Sequence, residues 1–210
     1  MDARKFLADK YNLDLNKPSP IEIPNVGRNT LCDWFRELDF KRGAEVGVEF
    51  GKFSEVIMRA NPSLELFCVD SWQNYEGYLD PINQKPDLPN GAEIVRQKLN
   101  KYPNVHCVQG FSHKVAKQFK DNSLDFVYID ANHNLPWVMD DIIDWEKKVR
   151  PGGIIAGHDY VYHKNFAHYV IEAVRWYTEL KPIPLWFLLG TKAKVEGQIR
   201  DHSRSWMWIK

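Results

Sequence analysis

The sequence predicts an α/β fold: a mostly parallel sheet, covered by helices on both faces and ended by an antiparallel strand pair. Three observations carry this. Short apolar runs alternate with segments of helical periodicity from residue 44 onward. Turn residues punctuate them, as at Asn61-Pro62 and Pro151-Gly152-Gly153. The last two apolar runs, 184–189 and 205–209, are joined by a charged loop into which no crossover helix fits, so they pair antiparallel.

The elements follow in order. Residues 3–11 suit a short helix, which the Pro-rich stretch 17–24 (KPSPIEIP) interrupts. A helix over 30–40 places Leu31, Trp34, Phe35 and Leu38 at helical spacing. Strands are then expected over 44–48, 64–69, 105–108, 124–129 and 154–156. Helices are expected over 53–60, 92–101, 114–120, 136–149 and 166–180. The segment 73–90 has no periodicity; its tyrosines and prolines mark an ordered functional loop or lid. The chain divides into an N-terminal helical extension, 1–40, and a main domain, 41–210.

Composition narrows the function classes. The 210 residues carry 28 Lys+Arg and 28 Asp+Glu, a formal net charge of +0. A partner held mainly through phosphates usually demands a basic excess, so nucleic acid is not expected. No apolar run is long enough for a membrane span, and the polar N-terminus lacks the apolar core of a signal peptide. Cys32, Cys68 and Cys107 are odd in number and form no CxxC, so neither a disulfide framework nor a zinc cluster is expected, and a reducing cytoplasm is the default. The chain is rich in aromatics, with 8 Trp, 9 Tyr and 11 Phe. Trp34, Trp176, Trp186, Trp206 and Trp208 are expected in the core or on an apolar homo-oligomer face. Trp72, Tyr75, Tyr78, Trp137 and Tyr160 are expected around the ligand edge.

In such a sheet, ligands bind at the carboxyl ends of the strands. The first end reads Glu45-Val-Gly47-Val-Glu49-Phe-Gly51-Lys-Phe-Ser54. Glu49 stands where a dinucleotide fingerprint needs its middle glycine, and a carboxylate there would repel a pyrophosphate. Asp70 ends the next strand 23 residues after Gly47, about where a carboxylate grips a ribose. A ribose-bearing, cationic ligand without phosphate, such as S-adenosylmethionine, fits this pattern better than NAD. Ordinary alternatives are a plain βα turn at Gly47 and an Asx turn at Asp70. Trp72 is placed to stack on an adenine or to pack under the loop; Gly110, Phe111 and Ser112 can meet the adenine edge, with a helix cap as the alternative for Ser112. Asp130 and His133 follow the fourth expected strand, and His158 and Asp159 the fifth, so two carboxylates and two imidazoles converge. Without a metal, His133 or His158 is the better general base. Asp140 and Asp141 on the next helix are expected to be solvated or capping, and His163 and His168 are set aside.

At this point the segments AEVGVEFGKFS (44–54), FCVDSW (67–72), LDFVYIDANH (124–133) and VRPGGIIAGHDY (149–160) resemble class I S-adenosylmethionine-dependent methyltransferases, in the small-molecule and sugar O-methyltransferase-like branch. The resemblance covers residues 40–210. It implies a Rossmann-like three-layer sandwich with a seven-stranded sheet, a small-molecule acceptor and S-adenosylmethionine as cofactor. It implies that Glu45, Gly47, Glu49 and Gly51 shape the methionine end and that Asp70 holds the ribose, with Ser71 and Trp72 near the adenosine. It places Gly110, Phe111 and Ser112 by the adenine and Asp130 at the reacting end. Metal-dependent relatives carry acidic ligands where Asp130, His158 and Asp159 stand, so these three are the candidate set for Mg²⁺ or Mn²⁺. The chain departs from that pattern at His158, in place of an acid, and at Asn132, where some members carry a catalytic aspartate.

Two other readings remain at the sequence level. Nucleic-acid amine methylation would bring an Asn/Asp-Pro-Pro-aromatic signature, where this chain has Asp130-Ala-Asn-His133. A non-catalytic nucleoside- or partner-binding relative would be supported by loss of Gly47, Gly51 or Asp70, all of which are present.

Overall fold

A computed structural model describes residues 2–76, 78, 80–162 and 168–210. Its organising feature is the two-residue alternation of the strands. In the strand Leu124–Ile129, Phe126 and Tyr128 enter one apolar core while Val127 and Ile129 enter the other. A strand buried on both faces needs helices on both sides, and the helices supply them.

In chain order the elements are α1 (Ala3–Tyr11), β1 (Ile21–Ile23), α2 (Arg28–Glu37), β2 (Arg42–Val46), α3 (Lys52–Ala60), β3 (Glu65–Asp70), α4 (Gly91–Leu99), β4 (Val105–Gln109), α5 (Ser112–Val115), β5 (Leu124–Ile129), α6 (Leu135–Glu146), β6 (Val149–Gly157), α7 (Val170–Leu180), β7 (Trp186–Leu189) and β8 (Trp206–Ile209). The first core is built by Leu7 of α1, Trp34 and Phe35 of α2, Ile57 of α3 and Val95 of α4. The second is built by Ile142 and Trp145 of α6, Val174 and Tyr177 of α7, and Trp206 and Trp208. Phe35 and Phe126 stack with centroids 3.7 Å apart, and Trp206 and Trp208 with centroids 5.1 Å apart.

The sheet order is β1-β7-β8-β6-β5-β2-β3-β4. All pairings among the described residues are parallel except β6–β8 and β7–β8. The antiparallel C-terminal pair thus agrees with the sequence reading, but the sheet has eight strands rather than seven. The added strand, β1, lies within the stretch read as a Pro-rich break and pairs with β7, Ile21 against Phe187 and Ile23 against Leu189. Three residues are too few for a periodicity, and only the distant partner makes them a strand.

Other boundaries differ for local reasons. The expected helix over 114–120 is a single α turn, α5, continued by a 3₁₀ turn at Ala116–Gln118. Pro151-Gly152-Gly153, expected as a turn, lies inside β6 as an irregularity, because the β5–β6 register shifts between Leu124 and Phe126. The helix expected from Phe166 is seen from Val170; Phe166 and His163 lie outside the described residues. Asp141 is buried rather than solvated, since α6 turns it inward toward Ser112, and burial raises its carboxyl to about 7. Trp176 is exposed, unlike Trp34, Trp186, Trp206 and Trp208. Among the described residues, no helix is long and apolar enough to cross a membrane.

Candidate active site

The chain runs outward from β2 through β3 to β4, then returns to place β5 on the other side of β2. Ligand crevices open at such a switch, beyond the carboxyl ends of the strands. Here the strand ends are tied together: Asp130 N–H donates to Val46 O at 2.7 Å, Gly110 N–H to Asp70 O at 2.9 Å, and His158 N–H to Ile129 O at 3.0 Å. Gly47 sits at the crossing with φ +88°, and a Cβ there would stand 2.1 Å from the Asp130 carbonyl oxygen, so any side chain would part β2 from β5.

Above this edge lies a cavity of about 600 Å³, in the range of small-molecule sites. Of the residues singled out in the sequence, Glu45, Gly47, Glu49, Asp70, Ser71, Gly110, Ser112, Asp130, His133 and Asp159 line it. Gly51, Trp72, Phe111 and His158 do not. Gly51 caps α3 with φ +68°. The Trp72 ring faces away from the cavity, fully buried against Gly91, where a Cβ would stand 2.0 Å from it. Its Nε1 donates to Glu49 O at 2.7 Å, so it packs under the loop. Phe111 precedes α5 and meets Tyr75 edge-on at 6.0 Å. His158 stands behind Asp159, its Nδ1 3.1 Å from Asp159 Oδ1.

At the β2 and β3 ends, Asp70 organises the turn. Its Oδ2 accepts from Val48 N–H at 2.8 Å and Glu49 N–H at 2.9 Å, and its Oδ1 from Trp72 N–H at 2.8 Å. Burial nonetheless pushes its carboxyl above the ordinary value. Glu45, buried on β2, accepts from Ser54 Oγ, and burial raises its carboxyl to about 8. Glu49 pairs with Lys85 from the 73–90 loop. Within the described residues of that loop, Asn83 Nδ2 donates to Tyr75 O at 2.6 Å and Tyr78 O at 2.8 Å while its Oδ1 accepts from Tyr75 N–H at 2.6 Å.

The β5 and β6 ends form a denser cluster. The Nδ1 of His133 is 3.0 Å from Asp80 Oδ2, and its Nε2 is 3.1 Å from Asp159 Oδ2 and 3.7 Å from Asp130 Oδ1. His133 N–H donates to Tyr78 Oη at 3.0 Å. Burial opposes a charged imidazole here, yet Asp130, Asp159 and Asp80 hold His133 well above the usual range. Burial also opposes the Asp159 carboxylate, but His133 and His158 outweigh it and hold Asp159 well below its ordinary value. His158 is raised against burial by Asp159 and Asp130. Arg28 Nη1 lies 3.5 Å from Asp130 Oδ2, and the guanidinium stacks over Phe53 at 5.2 Å.

Among the described residues, two sets of side chains can hold a metal ion. The ligand atoms of Asp130, His158 and Asp159 lie within 4.8 Å of one another, and so do those of His133, Asp159 and His168. The donor types fit a divalent cation in both.

Arg28, Asp80, Asn83 and Lys85 line the cavity without a distinct signal in the sequence. Arg28, Asp80 and Lys85 meet partners far along the chain, Asp130, His133 and Glu49, whereas Asn83 is held by Tyr75 and Tyr78 of its own loop. His168, set aside in the sequence reading, is buried, lines the cavity and meets the His133 ring at 4.6 Å between centroids. A third histidine beside two strand-end pairs was the available hint.

Comparison with known proteins agrees with this fold. Among solved structures, the O-methyltransferase from Bacillus cereus in complex with SAH aligns with TM-score 0.60 at 15% identity, over 99% of this chain and 89% of that one. The O-methyltransferase TomG from Streptomyces achromogenes, in complex with SAM, aligns with TM-score 0.59 at 16% identity, over 99% and 89%. Precorrin-6y C5,15-methyltransferase from Geobacter metallireducens aligns with TM-score 0.55 at 14% identity, over 87% and 86%. At these identities the likeness is one of fold. A search of curated protein sequences gave no match. A family profile described as a methyltransferase domain matches residues 44–160, more than half of the chain, and spans β2 to the Asp159 strand end. With this match over the residues that build the strand-end cavity, the chain belongs to the methyltransferase-domain family.

Proposed function

We propose that this methyltransferase takes its methyl group from S-adenosylmethionine and transfers it to a hydroxyl of a small molecule, a sugar among the candidates. The observation that carries the donor is at Asp70. In a dinucleotide site the N–H groups of the first βα turn face a pyrophosphate. Here two of them, at Val48 and Glu49, are already given to Asp70 Oδ2. Even with the buried Glu45 counted as neutral and His133 as a cation, the lining carries Glu49, Asp70, Asp80, Asp130 and Asp159 against Arg28, Lys52, Lys85 and His133. That excess suits a sulfonium and an ammonium and disfavours phosphates. Asp70 Oδ1, with one N–H bond, keeps acceptor capacity for a ribose hydroxyl. Glu45 and Glu49 belong to the methionine end, Ser71, Gly110 and Ser112 to the adenosine.

The acceptor belongs at the opposite end, against Asp130 and His133. Methyl transfer from a sulfonium is an in-line displacement, so the chain must align the hydroxyl and take up its proton. Asp130 and His133 face the cavity and are the groups within reach; Asp159 and Asp80 hold the His133 ring in place. A divalent cation bound at this end would lower the pKa of the acceptor hydroxyl. The balanced charge of the chain, a net +0, supports a small molecule over a nucleic acid, and its free cysteines suit a cytoplasmic setting.

Calorimetry with S-adenosylmethionine, S-adenosylhomocysteine and NAD, each with and without Mg²⁺, tests the donor. Binding of both adenosyl ligands and not NAD is expected; no binding of either adenosyl ligand overturns the reading. His133→Ala and Asp159→Ala should slow turnover more than they weaken donor binding.

A further inference from the structure

We propose that His133, Asp159 and His168 form a two-imidazole, one-carboxylate site for a borderline divalent cation of the Zn²⁺, Fe²⁺ or Co²⁺ kind, with Asp80 as the outer carboxylate that aims His133. This differs from the Asp130–His158–Asp159 set that the resemblance implies, and it shares only Asp159 with it.

Four observations support it. First, the three residues come from the β5 end, the β6 end and the segment before α7, and all three line the cavity. Their ligand atoms lie within 4.8 Å of one another, with His133 Nε2 3.1 Å from Asp159 Oδ2. Second, Asp80 Oδ2 lies 3.0 Å from His133 Nδ1. A carboxylate there keeps a proton on Nδ1 and aims Nε2, which gives up its proton to a bound cation, toward Asp159. Metal-bound histidines are typically backed by such a carboxylate on the other ring nitrogen. The buried Nε2 makes no hydrogen bond of good geometry. Third, Asp80, Asp130 and Asp159 all stand within 3.7 Å of the His133 ring nitrogens, so positive charge is favoured at this point. Fourth, the alternative set is partly satisfied: Arg28 Nη1 already lies 3.5 Å from Asp130 Oδ2, and His158 does not line the cavity through which an ion would enter. On Asp159, His158 takes Oδ1 at 3.1 Å and leaves Oδ2 on the side of His133.

The donor set selects the ion. Mg²⁺ prefers oxygen ligands and retains its waters, whereas two imidazoles and one carboxylate suit Zn²⁺, Fe²⁺ or Co²⁺. With Nε2 given to a cation, His133 is a ligand and Asp130 is left as the group that takes the acceptor proton.

The test uses the untagged full chain, stripped with a chelator and titrated with Co²⁺. It reads metal binding alone, so its failure is distinct from failure of the methyl-transfer reading. One equivalent is expected, with a visible d–d absorption and two exchangeable, hyperfine-shifted imidazole N–H resonances. Zn²⁺ should displace Co²⁺, and millimolar Mg²⁺ should not. His133→Gln and His168→Gln should each weaken binding at least 100-fold, and Asp80→Asn and His158→Gln, which remove partners of the ligands His133 and Asp159, no more than about 10- to 100-fold. Circular dichroism and melting check that each variant folds; if His168→Gln does not, the resonance count on the wild-type chain still decides. No Co²⁺ binding below millimolar, fewer than two imidazole resonances, or loss of binding in His158→Gln with retention in His168→Gln would each overturn the proposal.

Discussion

Single residues at the donor end carry two testable consequences. Asp70 satisfies three backbone N–H groups that would otherwise be buried without partners. Asp70→Asn sets an amide N–H₂ against some of these donors. It should cost about 1–3 kcal/mol of stability and weaken S-adenosylmethionine binding about tenfold or more, read by melting and by calorimetry. Unchanged donor affinity would remove Asp70 from the ligand site. Glu45 has a carboxyl raised to about 8 by burial, from an ordinary 4.5. The folded state therefore holds a proton that the unfolded state has lost, and Glu45's contribution to stability falls as pH rises from about 4.5 toward about 8. Glu45→Gln should flatten the melting curve against pH over that interval. Binding of a cationic donor favours the ionised form, so wild-type protein at pH 7 should release up to about one proton on binding. Calorimetry in buffers of different ionisation enthalpy measures that release; a buffer-independent heat would count against contact between Glu45 and the donor's charge.

At the scale of an element, the 73–90 loop lines the cavity through Tyr75, Tyr78, Asp80, Asn83 and Lys85. Among its described residues, Asn83 bridges Tyr75 and Tyr78, Lys85 reaches Glu49, and Tyr78 Oη meets His133 N–H. Asn83→Ala removes three of these bonds while leaving both apolar cores intact. Amide exchange within 73–90 should accelerate at least tenfold with little change in the global melting temperature. An unaltered exchange pattern would show that the loop is held by other contacts. The sequence marks this segment as a functional loop because it lacks periodicity and carries prolines. That it delivers Asp80 to His133, 53 positions away, is not written in any local pattern.

At the scale of the molecule, stability rests on the two helix layers and the strands between them. Trp208 is buried, stacks on Trp206 and Tyr177, and donates from Nε1 to Glu146 Oε1 at 3.2 Å. Trp208→Ala should cost about 3–5 kcal/mol, measured by urea unfolding. A loss under about 1 kcal/mol would mean that the antiparallel end of the sheet relaxes around the cavity. The parallel strands β2 to β5 are legible in the sequence because each holds an apolar run set by its own residues, although β2 spans Arg42–Val46 and not the expected 44–48. The short β1 strand is not, because an edge partner 166 positions away, Ile23 to Leu189, defines it.

The sequence by itself determined the α/β class and the acids that gather at the strand ends, where the cavity lies. These follow from local properties: side-chain period, turn residues, and the fixed direction of parallel strands. Tertiary structure alone decided which of the gathered residues face the cavity. It turned Trp72 into the core beneath the loop, set His158 behind Asp159, and brought Arg28, Asp80 and His168 to the lining. The physical reason is common to all five. A side chain's role at a strand end depends on which long-range neighbour takes its hydrogen bond or fills its space, and that neighbour is chosen by packing and not by spacing along the chain.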